Sequence, residues 1–316
     1  MSGLRNRISA SQWTAWVLTA AIGPILSMSG RGGWMSIAAL FLVCAVMCLL
    51  LMKCGTGPIP KWRAGLEYVW LVLLIGGIAK QSGTCWSDAQ TDWIIPSLLL
   101  VLAGFATLRG AEQSARVSST LIWMILPILG IVSLAGIADA EGSWARRTME
   151  MPEDALAVLL LLPCIVIFVP DCEKMVGKKI IPLLGIVAIG GSFLLDATLG
   201  AQAAQEAGNG FYEFCKSVSL FGVAERFEAL VACALTSSWF ALFTLLLSAA
   251  YSLGEKFLPS YSQWLHWSCV AGSVAGMCIL HIPTQWLAVG TLVFWGFLPI
   301  LTQGLGGEKK IVKSKK

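Results

Sequence analysis

The sequence predicts an all-α, polytopic membrane protein of about ten transmembrane helices arranged as two five-helix repeats. Three observations carry that expectation: a composition too apolar for a water-soluble domain, a division into ten apolar runs, and interruptions in the first and sixth of those runs. Of the 316 residues, 57% are hydrophobic and 13% charged, with a mean hydropathy of +0.76, whereas about 25% of residues in average globular chains are charged.

Runs of apolar residues near the length that a bilayer requires fall at 10–28, 34–52, 64–80, 93–108, 117–138, 155–172, 180–200, 226–252, 264–282 and 284–303. The N-terminus has no small-residue cleavage site, and Arg5 and Arg7 lead into a run long enough to span, so the first run is expected to be retained. With a cytoplasmic N-terminus, the inner side holds Arg5, Arg7, Lys53, Lys61, Arg63, Arg109, Arg116, Lys174, Lys178, Lys179, Lys256 and the tail lysines 309, 310, 313, 315 and 316. The outer side holds Arg31, Lys80, Arg146, Arg147, Lys216 and Arg226. This asymmetry follows the positive-inside rule and places both termini in the cytoplasm of a multi-pass cell-membrane protein. The chain reads as a single domain over 1–316, with a first repeat at about 10–138, a second at about 155–303, and a Lys-rich tail at 304–316.

The connecting segments are informative in turn. Acidic residues gather on the outer side, at Asp88 and Asp92, from Asp139 to Asp154, and at Glu206 and Glu213. The stretch Gly208 to Lys216 alternates aromatic and polar residues, the pattern of a short element lying along the membrane surface. Tryptophans near the run ends, such as Trp13, Trp34, Trp93 and Trp264, form an aromatic belt, while Trp70, Trp123, Trp239 and Trp295 sit deeper.

Several function classes are excluded. The ten cysteines are scattered without metal-ligand spacing, and Cys44 and Cys48, one helical turn apart, read as packing residues. No metal or other cofactor is expected. No nucleophile elbow or phosphate-binding Gly-Lys motif is present, so no enzymatic activity is expected either. A net charge of +4 confined to ends and loops orients the chain in lipid and does not point to nucleic acid. The expected partners are the bilayer and a small molecule.

The first run contains Ala20-Ala21-Ile22-Gly23-Pro24-Ile25-Leu26. Proline removes a helical hydrogen bond and clashes with the preceding turn, so the helix is expected to break at mid-membrane. Freed backbone groups at that depth survive where they line a polar cavity, which points to a small polar ligand, with a ligand-free kink as the alternative. The sixth run carries Pro163 and Pro170 and ends in Asp171 and Glu173. Interruptions at corresponding places of two halves are the sequence mark of an inverted-repeat transporter.

These residues resemble a known family. Ile8-Ser9-Ala10-Ser11-Gln12 leading into Ile22-Gly23-Pro24-Ile25-Leu26-Ser27, then Gly33-Trp34-Met35-Ser36, resembles the start of the spore germination permeases. These are the integral membrane B subunits of nutrient germinant receptors, within the amino acid, polyamine and organocation transporter superfamily. Arg109-Gly110-Ala111-Glu112 to Arg116, Phe168-Val169-Pro170-Asp171-Cys172-Glu173, and Lys216 to Leu230 with its Glu225-Arg226 pair are similar to later family motifs, in order along nearly the whole chain.

The resemblance implies a leucine-transporter-like, five-plus-five inverted repeat that binds a small nutrient, such as an amino acid, for germinant sensing or transport. Other germinant receptor subunits are then partners, and the inner membrane of a spore is the location. The implied binding residues are Ala21, Ile22, Gly23 and Pro24 at the first break, Ile165 and Phe168 at the second, Trp70 and Gly76 on the third span, and Ser237, Ser238 and Trp239 on the eighth. Ordinary helix packing is the alternative for each.

Two intramembrane carboxylates, Glu67 and Asp196, are proton-coupling candidates. The alternative for Glu67 is a pair with Arg63 one turn away, and for Asp196 a place at the outer interface. Two other readings of the whole chain remain open: a proton-coupled amino acid or amine transporter unrelated to germination, and a membrane scaffold with a vestigial cavity. The ten-span topology puts Lys178 and Lys309 on the same face of the membrane. Reagent accessibility of single cysteines at the two positions tests this, and labelling from opposite faces would overturn it.

Overall fold

The computed structural model describes residues 8–28, 33–54, 59–83, 93–138, 174–200, 210–217, 227–279 and 283–302. The elements among them are helical throughout: α1 (Ala10–Met28), α2 (Gly33–Cys54), α3 (Lys61–Gly83), α4 (Ile94–Leu108), α5 (Ala111–Ala138), α6 (Lys174–Leu199), α7 (Gly210–Ser217), α8 (Phe227–Phe257), α9 (Ser262–Ile279) and α10 (Thr284–Thr291). A short 3-10 turn, Pro259–Tyr261, joins α8 to α9. Beyond α10 the helix widens into a π-helical stretch, Leu292–Phe297.

Nine of the ten apolar runs meet a helix. The sixth, 155–172, lies outside the described residues, as do Ile165, Phe168 and the tail at 304–316. Four helical stretches, Lys61–Gly83, Ala111–Ile137, Ile180–Leu199 and Ala229–Phe257, are long and apolar enough to cross a membrane. Trp34–Leu50, Ile94–Leu108 and Trp286–Thr302 are apolar but shorter. The chain is a helical membrane protein.

The bundle is built around α8, which packs against α1, α3, α4, α5, α7 and α9. Its sequence explains that place: every residue from 241 to 250 is buried, and a helix apolar all round has to be enclosed on all sides. α5 is the opposite case. Trp123 is 77% and Leu134 70% exposed, an outward apolar face suited to lipid rather than water.

Local chemistry fixes the corners. Between α4 and α5 the chain turns at Gly110, whose φ of +105° lies in the region that favours glycine. The following Glu112 and Arg116 pair at 2.5 Å across one turn of α5. Within the stretch expected to be a short element along the membrane surface, Gly210–Ser217 forms α7, with Phe211 and Phe214 buried on its packed side.

Candidate functional site

The expected break in α1 does not occur. The helix runs unbroken from Ala10 to Met28 with Pro24 inside it, and a side chain from α8 bonds its backbone just before the proline. The N–H of Gly23 donates to Ser238 Oγ at 2.5 Å, and the same hydroxyl donates to the carbonyl of Thr19. These groups lie one register before the Ala20 carbonyl, which is the one that Pro24 deprives of its helical donor. The half-helix terminus and cavity-facing amides that a break would have created are therefore absent at Ala21, Ile22 and Gly23.

Of the residues implied to bind, Ala21, Ile22, Gly23 and Pro24 are buried on α1, and Ser238 and Trp239 are buried on α8. Gly23 is where the two helices meet most closely. A Cβ on it would lie 2.8 Å from Ser238 Oγ and 3.4 Å from the Trp239 backbone nitrogen. Two further bonds tie this seam below the hinge, since Trp16 Nε1 donates to Ala241 O at 3.3 Å and to Thr244 Oγ1 at 3.2 Å. Two buried polar atoms at the hinge have no hydrogen-bond partner among the described residues: Ser27 Oγ, one turn beyond Gly23, and Trp239 Nε1.

The third span points elsewhere. Trp70 stacks on Phe294 with ring centroids 4.9 Å apart, and its indole nitrogen is 3.5 Å from Thr291 Oγ1. It belongs to the contact between α3 and the end of α10. A Cβ on Gly76 would meet Ser273 O at 2.9 Å, so this glycine serves the close approach of α3 to α9. Neither residue joins Gly23 and Ser238.

The two carboxylates have structural partners. Glu67 Oε1 accepts from Arg63 Nε at 2.5 Å, with both side chains buried. Arg63 reaches on to Thr302 Oγ1 at 2.8 Å, so the pair ties the start of α3 to the helical stretch that follows the π-helical segment. The second oxygen, Glu67 Oε2, is buried without a hydrogen-bond partner among the described residues. Asp196 is fully buried, and its Oδ2 accepts from the backbone N–H of Trp34 at 3.2 Å. It thus serves the first turn of α2, where helices leave N–H groups unbonded.

Sequence reasoning did not single out Thr19, whose carbonyl Ser238 bonds. His266, which by sequence suggests no metal, has a packing role. It is buried with Nε2 3.0 Å from Gly104 O and 3.1 Å from Thr107 Oγ1, holding α9 to α4. No protein-family model matches the chain, and no curated protein matches its sequence.

Replacing Ser238 with alanine is expected to lower stability by about 1–3 kcal/mol, because it strands a buried N–H and a buried carbonyl together. Gly23→Ala should also destabilise, and less so in the Ser238→Ala background, where the crowding oxygen is gone. A double-mutant cycle on thermal unfolding in detergent checks this; strictly additive effects would show that the two positions do not interact.

Proposed function

We propose that the protein is an integral membrane, permease-like protein that binds a small nutrient such as an amino acid at the α1 hinge, for germinant sensing or transport. The proposal includes the ten-span, five-plus-five arrangement, cytoplasmic termini and other germinant receptor subunits as partners, all of which rest on the resemblance to spore germination permeases. The observation that carries the ligand site is the pair of buried, partnerless polar atoms at the hinge, Ser27 Oγ and Trp239 Nε1. Buried polar groups are nearly always bonded, so two orphans beside one another's helices ask for a polar occupant. Ser238 supplies the second half of the argument. Its hydroxyl accepts from one backbone group and donates to another, the pairing that the carboxylate and ammonium of an amino acid offer when α8 yields.

Thermal unfolding of the purified protein against amino acids, polyamines and nucleosides tests the site. A ligand at 100 times its Kd adds about 2.7 kcal/mol of stability. A shift with one class is expected, and it should shrink in Trp239→Phe, which keeps the ring and removes the N–H. No shift with any class would favour the scaffold reading.

A second reading has its own support. The partnerless Glu67 Oε2 in an otherwise buried ion pair is the kind of intramembrane carboxylate that exchanges protons in transporters. Under proton-coupled transport, Glu67→Gln keeps the ligand-induced thermal shift and loses accumulation driven by a proton gradient in proteoliposomes. Unchanged accumulation in that variant would remove Glu67 from the coupling.

A further inference from the structure

Away from the hinge polar atoms, a cleft of about 500 Å³ opens between α1, α5 and α6, with Phe211 of α7 at one side. Its lining is graded by depth. At the mouth, Ile137 is 60%, Ile186 69% and Phe193 43% exposed, while at the floor Ile22 and Leu26 are 1% and 4% exposed. Ser133 is the one polar side chain on the lining.

Two glycines on the walls carry the argument further. Gly130 of α5 and Gly190 of α6 both line the cleft, and a Cβ at either would meet no atom within 4 Å. Glycine is the poorest helix former after proline, and a small residue inside a membrane helix ordinarily lets a neighbouring helix approach closely. No described neighbour approaches here. The missing side chains keep space open that larger residues would fill without a clash.

The mouth is continuous with the apolar outer face of α5, where Trp123 and Leu134 are exposed. That face meets bilayer hydrocarbon. An apolar void open to such a solvent fills with it, because lining atoms with no neighbour forfeit their dispersion contacts.

We propose that the cleft is a binding site for one hydrocarbon chain of a bilayer phospholipid, entering between α5 and α6 and ending on Ile22 and Leu26. Its floor residues flank Gly23 and Pro24 in sequence, so the bound chain rests against the same stretch of α1 that Ser238 bonds. The site stands whether or not a nutrient binds at the hinge.

The test uses the full chain in nanodiscs of phosphatidylethanolamine and phosphatidylglycerol, doped with a phospholipid that carries a diazirine on one acyl chain. After photolysis, peptide mass spectrometry locates the adducts. Labelling is expected at Ile22 and Leu26 as well as at the lipid-facing Trp123 and Leu134. In the Gly130→Leu/Gly190→Leu double variant, labelling at Ile22 and Leu26 should be lost while labelling at Trp123 and Leu134 persists. An unlabelled floor beside a labelled outer face in the wild-type protein would overturn the proposal, and is the result expected if residues 139–173 or a second copy of the chain fill the cleft. Floor labelling that survives in the filled variant would overturn it equally. Should that variant not fold, the wild-type ratio of floor to outer-face labelling decides alone.

Discussion

A single hydroxyl holds the centre of this bundle together. Immediately before the proline of α1, Ser238 of α8 accepts from Gly23 N and donates to Thr19 O. That contact requires α8 to lie directly against α1, which in turn requires Gly23 to have no side chain. The same helix α8 packs against α3, α4, α5, α7 and α9 as well.

Much of the fold was legible because hydropathy is a strong signal where lipid is the solvent. The helix positions of the apolar runs, the enclosure of α8 and the outward face of α5 all follow from composition along the chain. The Arg63–Glu67 pair was legible as well, since a spacing of four residues fixes the two side chains on one helix face.

What was not legible was direction between helices. Gly23-Pro24 and Ser238-Trp239 both stand out in the sequence, yet nothing in either says that the two meet, and a proline inside a span naturally reads as a broken helix. Trp70 was read as a wall of the same site because an aromatic residue in a neighbouring span is a reasonable wall. Its ring instead stacks on Phe294, a consequence of which face α3 turns toward α10. Asp196 shows the same limit: its bond to the start of α2 depends on which helices meet, which the sequence does not state.

The Arg63–Glu67 pair bears on how the chain is made. Each charged side chain costs roughly 2.5–3.5 kcal/mol to place at the centre of a membrane helix during insertion. Because both partners lie on α3 itself, their neutralisation needs no other helix, and the pair can enter the bilayer with its two opposite charges already matched, leaving Lys61 and Lys80 at the two ends of α3.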